Sequence, residues 1–163
     1  MITGTPLVVT ADVPPTWGEL QASGFVLLVV GPEPADGVMA PSVQVALDTA
    51  DSADAAWDAL RLGAAGLLEA TTAFEGRRDT ADGREEQVLE VAHRGAEGGA
   101  QVTVYRLLVP RDGGTTLTCV GTVGGGAPAD VVDGLRRVVA SADLTSEPRS
   151  TAGGSDTTEA RQP

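Results

Sequence analysis

Cys119 and His93 are the two residues whose side chains would combine into a catalytic pair, because an imidazole beside a thiol activates it as a nucleophile. Each is the only residue of its type in the chain. Cys119 stands in the apolar run "TTLTCVGTV", a setting that predicts a buried thiol acting as a small apolar group. His93 ends a strand-like segment beside a turn, which predicts a solvated side chain. The sequence therefore predicts no catalytic residue, no internal disulfide and no structural zinc site.

A glycine-rich segment, "GTVGGGAPAD" at residues 121–130, joins a strand-like run to a helix-like run. Loops at such positions cradle phosphate groups. This one lacks the Lys-Ser/Thr pair of a P-loop and the glycine spacing of a dinucleotide fingerprint. A flexible connection is the favoured interpretation, and no cofactor is predicted.

Acidic clusters occur at "ADSADAAWD", residues 50–58, and at "DTADGREE", residues 79–86. The first fits the start of a helix, where carboxylates suit the helix dipole. The second lacks the ligand spacing of a calcium loop. Neither cluster predicts a metal site.

The charge balance limits the classes of partner. A net charge of −12 argues against non-specific binding of nucleic acid and against anionic membrane surfaces. Solubility is the favoured reading of the acidic surface, and a basic protein partner is the alternative. The opening residues show no export signal and no apolar run reaches the length of a membrane span, so a cytoplasmic location is expected.

The apolar pattern predicts three strands, a helix, about four antiparallel strands and a closing helix, in that order. The predicted strands are residues 6–13, 25–30, 42–47, 74–79, 86–93, 101–109 and 115–123. The run 25–30 is continuously apolar, which predicts a strand covered on both faces. The run 42–47 alternates, and short turns after residue 79 predict antiparallel hairpins.

Two amphipathic helices complete the predicted fold. The first begins at Asp51 or Ser52, and its apolar stripe runs as far as Thr71. Its glycines, Gly63 and Gly66, predict close backbone packing. The second has Pro128 near its first position and a valine- and leucine-rich stripe. The sequence thus predicts a single α+β domain over residues 1–144, with an antiparallel β-sheet flanked by two helices, and a disordered polar tail over residues 145–163.

Three stretches carry a resemblance to a known family. They are "VPPTW" at residues 13–17, the long-looped hairpin at residues 25–47, and the last strand, loop and helix at residues 113–141. Their order resembles the Mog1/PsbP-like fold, in particular small actinobacterial members related to the LpqN and LpqT lipoproteins, over residues 5–144. The resemblance implies a non-catalytic scaffold. The lipoprotein members carry an export signal and a lipid-attachment cysteine, which the opening residues here lack.

Three apolar side chains outside the periodic elements are candidates for binding a partner: Trp17, Val38 and Met39. Trp17 follows the Pro14-Pro15 break, where it either covers the end of the sheet or anchors a partner. Val38 and Met39 lie in the eleven-residue loop 31–41, which exceeds what a hairpin needs. They either form an interface or pack against the sheet edge.

The predicted function is that of a non-catalytic protein-interaction module or accessory factor, of which secretion-associated and immunity-type proteins are possible forms. The alternative is a small-ligand binding protein that uses a groove between sheet and helix. An enzyme is the least favoured reading. The expected partner is a protein.

Overall fold

The computed structural model describes residues 7–34 and 38–146. Its elements, in chain order, are β1 (Leu7–Thr10), β2 (Gly18–Leu20), β3 (Leu27–Val30), β4 (Ser42–Ala50), α1 (Ala53–Ala65), β5 (Leu68–Asp79), β6 (Arg84–Arg94), β7 (Ala100–Pro110), β8 (Gly114–Gly124), α2 (Ala129–Ser141) and β9 (Asp143–Ser146). Seven strands form one sheet in the order β2-β3-β4-β8-β7-β6-β5, and every pairing in it is antiparallel. The predicted α+β class, with an antiparallel sheet and two helices, is confirmed.

The helices pack on opposite faces of this sheet, as strand β7 shows. Successive side chains of a strand point to opposite faces. In β7, Val104 and Leu108 belong to the core cluster that contains α2, whereas Leu107 and Val109 belong to a cluster that contains α1. We call these two sides of the sheet the α2 face and the α1 face.

The α2 face holds the larger core. Leu135, Val138 and Val139 of α2 are buried against β4, β7 and β8, so the predicted stripe is confirmed. Gly121 of β8 lies directly below the helix, and a Cβ atom there would be 2.7 Å from Val139 Cγ2. Glycine therefore permits the close packing of α2 on the sheet.

Helix α1 packs on β6, β7 and the end of β4. Ser52 caps the helix as predicted, accepting a hydrogen bond from the Ala55 amide at 3.0 Å. Trp57 and Ala64 are buried against the apolar side chains of β6. The buried amide of Gln87 donates to the Ala53 carbonyl at 2.6 Å, which holds the start of the helix on the sheet.

Helix α1 is shorter than predicted, and Gly63 has a different role. The helix ends at Ala65, and the amide of its C-cap, Gly66, bonds to the Gly63 and Ala64 carbonyls, so Thr71 belongs to β5. A Cβ atom at Gly63 would meet nothing within 4 Å. The prediction of close backbone packing is therefore wrong for Gly63.

Several strands differ from the prediction at the ends of the domain. Strand β1 covers less than the predicted run 6–13 and pairs with β9 in a separate two-stranded sheet. The short strands β2 and β9 were not predicted. Strand β3 begins at Leu27 rather than at the predicted residue 25. Leu28 on its α1 face is only half-buried, so the prediction that this strand is covered on both faces is wrong. Strand β9 extends to Ser146, and the predicted tail after it lies outside the described residues.

Candidate functional site

Cys119 and His93 lie on opposite faces of the sheet. Cys119 is fully buried in the α2-face core, and burial raises the pKa of its thiol to about 12. His93 is half-buried on the α1 face, with Nε2 2.8 Å from Thr103 Oγ1. The sheet therefore separates the two groups. The predicted burial of Cys119 is confirmed, and His93 is less solvated than predicted.

The acidic segment 79–86 is paired with arginines. Arg84 bonds to Asp82 across the β5–β6 turn, and this hydrogen bond with that of Thr80 holds the pKa of Asp82 well below its usual value. Arg78 and Arg106 both bond to Glu86. In the described part of the chain, no cluster of three or more His, Cys, Asp or Glu side chains is arranged to hold a metal ion.

The glycine-rich segment is a packed turn, so the interpretation as a flexible connection is wrong. The Gly125 amide donates to the Ala100 carbonyl at 2.8 Å. A Cβ atom at Gly125 would lie 2.8 Å from Ala100 Cβ, and one at Gly124 would lie 2.9 Å from Val38 Cγ1. Two of these glycines are therefore needed for close packing.

Val38 and Met39 lie together beside this turn. They line a cleft of about 580 Å³ with the β6–β7 turn and the glycine-rich segment. Val38 is half-buried on Gly124, whereas Met39 is 40% exposed, with its sulfur 3.7 Å from Gln101 Nε2. Val38 thus contributes to packing, and Met39 presents the free apolar surface of the pair.

Trp17 lies at the base of the same loop. Its amide donates to the Pro14 carbonyl at 3.0 Å, which closes the turn after the two prolines. The ring is half-buried against the α2-face core and packs on Gly31, where a Cβ atom would be 3.0 Å from the indole. The structure does not place Trp17 in the cleft lined by Val38 and Met39. Binding of a partner by these three residues stays a prediction.

A second surface is formed by the half of the α1 face that α1 leaves uncovered. One row of directly paired residues crosses this half. The row consists of Leu20, Leu28, Gln44, Val120 and Tyr105, from β2, β3, β4, β8 and β7 in turn. We call it the open row. Leu20 is 53% exposed, and Leu28 and Val120 are half-buried. The row is therefore apolar at Leu20 and Leu28 and again at Val120 and Tyr105, with the half-buried, polar Gln44 between the two parts.

A groove between α1 and the sheet continues the open row. Its volume is about 410 Å³, and it is lined mainly by apolar side chains. On the helix side the lining residues other than Leu60 are small, including Ala56, Ala59 and Gly63, so α1 does not fill the gap above the sheet. Tyr105 and Val120 of the open row form part of its floor, and burial raises the pKa of the Tyr105 hydroxyl.

The sequence analysis did not identify the open row. Strand β2 has only three residues, too few to show an alternating pattern. Val120 lies in a predicted strand, but the pattern alone does not say which face a helix covers. One feature of the sequence does point to this surface: the residues of α1 around Gly63 are small, which indicates room beside the helix.

The fold has a counterpart among solved structures. The crystal structure of LpqN from Mycobacterium tuberculosis, a protein involved in cell envelope biogenesis, superposes with a TM-score of 0.66. The chain has the fold of LpqN. The identity is 14%, and the match covers 88% of this chain and 86% of LpqN. The likeness at this level of identity concerns the fold alone.

Similarity to a second solved structure is lower. A structure from Bacteroides thetaiotaomicron gives a TM-score of 0.47 at 16% identity, and the match covers 86% of this chain and 46% of that one. No family model matches the sequence, and no curated protein matches it. None of the helices in the described residues is long and apolar enough to cross a membrane.

Proposed function

We propose that this protein is a non-catalytic accessory factor that binds a protein partner through the open row. The observation that carries the proposal is the exposure of Leu20 directly beside the half-buried Leu28, on a part of the sheet that no described helix covers. Contiguous exposed apolar surface of this kind typically marks an interaction site. The fold shared with LpqN, which is involved in cell envelope biogenesis, supports an accessory role. Membership of the LpqN-related, Mog1/PsbP-like group is part of the proposal.

Affinity capture with matched leucine variants tests this proposal. Leu20→Ser with Leu28→Ser removes apolar side chains from the open row. Leu62→Ser with Leu68→Ser removes two leucines that are 77% and 59% exposed elsewhere. We expect the first pair to lose a partner that the native chain and the control pair both capture, while both variants stay folded at the temperature of the assay. Equal capture by all three chains would refute the open row as the binding surface.

The groove favours a second candidate function, the binding of a small apolar ligand. Its volume of about 410 Å³ falls within the range of small-molecule sites, and its walls are mainly apolar. Gly63→Leu would fill the groove from the helix side, whereas the control Gly63→Ala adds only one methyl group. A ligand that copurifies with the native chain and the control, but not with Gly63→Leu, in native mass spectrometry would establish this function. The absence of any bound mass from the native chain counts against it.

A further inference from the structure

Strand β5 presents a long free edge. It has 12 residues, it lies at the end of the sheet, and its only partner among the described strands is β6. The opposite edge strand, β2, has only three residues. A free edge carries unpaired amide and carbonyl groups that favour pairing with another strand.

Only the second half of β5 is regular enough to pair further. Its first half contains two register shifts against β6, and Glu69 there has a φ of 53°, in the left-handed region. From Phe74 to Asp79 the strand pairs with β6 without interruption. Bulges blunt the first half of the edge and leave the second half available.

The charges of this regular half complement themselves in one register. Two copies of a strand that pair antiparallel about a two-fold axis place one residue opposite its own copy. Centring on Gly76 sets Glu75 opposite Arg77, and Phe74 opposite Arg78, on both sides of the axis. Centring on Arg77 instead sets two arginines face to face and Glu75 opposite Asp79. Because facing like charges destabilise a sheet, the register centred on Gly76 is favoured.

Arg77 is held in a fixed position by contacts within its own copy. Its guanidinium donates to Asp54 and Glu85, each at 2.5 Å, and lies 5.8 Å from the centre of the Trp57 ring. Its side chain is 32% exposed, and that of Glu75 is 48% exposed. Glu75 also lies 3.7 Å from Arg61, so contacts across the axis would extend ion pairs that each copy already forms.

Phe74 provides the apolar part of the same contact. The side chain is 55% exposed, and its ring leans along the strand over Gly76, where a Cβ atom would lie 3.2 Å from Phe74 Cζ. Facing Cα atoms in antiparallel strands are about 5 Å apart, so the two rings would meet above the axis. A shallow groove of about 340 Å³ beside Phe74, lined by residues that include Val88, provides room for the ring of the second copy.

We infer that the protein forms a two-fold dimer in which the β5 strands of two copies pair antiparallel about Gly76 and extend the sheet across both subunits. Gly76 leaves room for the Phe74 ring above it, Glu75 and Arg77 set the register, and the two Phe74 rings bury each other. The contact is small, so the dimer forms reversibly and its population rises with concentration. This inference does not depend on the open row, which lies at the other end of the sheet.

A cysteine crosslink at the centre of the contact tests the register. Cys119 is fully buried, so a disulfide between two folded copies must come from the introduced cysteine. Gly76→Cys places two thiols across the axis at a separation that suits a disulfide. Gly18→Cys, at the opposite edge in open space, is the matched control. We expect mild oxidation to convert most of the Gly76→Cys protein to a covalent dimer and to leave the control monomeric. Equal or no crosslinking of both variants would overturn the register.

Sedimentation of uncrosslinked protein tests the contact independently. We expect the native chain to show a dimer whose fraction rises with concentration and falls with added salt. Phe74→Ala should weaken it at least tenfold, whereas Phe25→Ala, at the other exposed phenylalanine, should not change it. A native chain that stays monomeric throughout, or a Phe74→Ala chain that dimerises as well as the native one, would show the inference to be wrong.

Discussion

Arg106 and Glu86 form an ion pair beneath the end of helix α2. Arg106 Nε lies 2.6 Å from Glu86 Oε1, and the side chains are only 11% and 9% exposed. The same guanidinium donates from Nη1 to the Ala142 carbonyl at 2.5 Å, directly after the last residue of α2. Arg106 therefore satisfies the C-terminal carbonyl groups of the helix and places a positive charge at the negative end of its dipole.

Replacing Arg106 is expected to destabilise the domain strongly. Arg106→Leu would leave Glu86 buried with a single partner and the end of α2 uncapped, and breaking a buried pair costs about 3 kcal/mol or more. Chemical denaturation measures the loss in the free energy of unfolding. Arg137→Leu, at an exposed arginine on the same helix, is the control and should cost less than about 0.5 kcal/mol. Similar losses in both variants would contradict the capping role.

The same pair predicts how stability depends on pH. Burial opposes ionisation of Glu86, but hydrogen bonds from Arg78 and Arg106 outweigh it and hold its pKa below the usual value. A carboxylate with a lowered pKa stabilises the folded state above its unfolded pKa, and this contribution is lost as the pH falls through the folded pKa. The stabilisation by Glu86 should therefore be complete near neutral pH and decline below a pH of about 4.5.

Glu86→Gln isolates this contribution. At neutral pH we expect the variant to melt below the native chain, because glutamine cannot form the ion pairs. Below a pH of about 4 the difference should shrink, since protonated Glu86 resembles glutamine. Glu97→Gln, in the exposed β6–β7 turn, should match the native chain throughout. A melting difference for Glu86→Gln that does not change with pH would rule out this linkage.

The sequence predicted the core better than it predicted the ends of the fold. The stripe of α2 and the burial of Cys119 followed from apolar spacing, because those residues face one filled interior. The predicted stripe of α1 ran past Ala65 because Leu67 also packs on the α1 face, although it lies outside the helix. The spacing of apolar residues indicates which side chains are buried, but it does not show that the helix ends at Gly66.

The candidate surfaces depend on pairings that a single sequence does not reveal. Leu20 and Val120 come from distant parts of the chain and share a row only because β3 and β4 lie between their strands. The free edge of β5 likewise depends on the strand order, which was not predicted. Val38 and Met39 were found from the sequence because an unusually long loop carries them, and that signal is local.

Cys119 is expected to be unreactive in the native state. Its thiol is fully buried and its pKa is raised to about 12, so very little thiolate exists near neutral pH. A thiol reagent such as DTNB should label it only at the rate of unfolding, and denaturant should make labelling immediate. Cys119→Ala should cost about 1 kcal/mol of stability through the lost packing. Rapid labelling of the folded protein would contradict this burial.

Gly63 offers a stabilising substitution. It lies inside α1, and an added Cβ atom would meet nothing within 4 Å. Because alanine is favoured over glycine in a helix, Gly63→Ala should raise the free energy of unfolding by up to about 1 kcal/mol. Gly121→Ala is the opposite case, because its methyl group would clash with Val139, and it should destabilise the domain. A loss of stability for Gly63→Ala would show that the groove is tighter than the structure indicates.

Substitutions at Met39 and Val38 distinguish a role in partner binding from a role in packing for the loop 31–41. Met39 is 40% exposed, whereas Val38 is half-buried on Gly124. Met39→Ser should therefore leave the melting temperature unchanged, and Val38→Ser should lower the free energy of unfolding by about 1 kcal/mol. If this loop contributes to partner binding, Met39→Ser alone weakens capture of the partner that the native chain binds. Unchanged capture by Met39→Ser would remove the loop from the interface and leave the open row as the proposed surface.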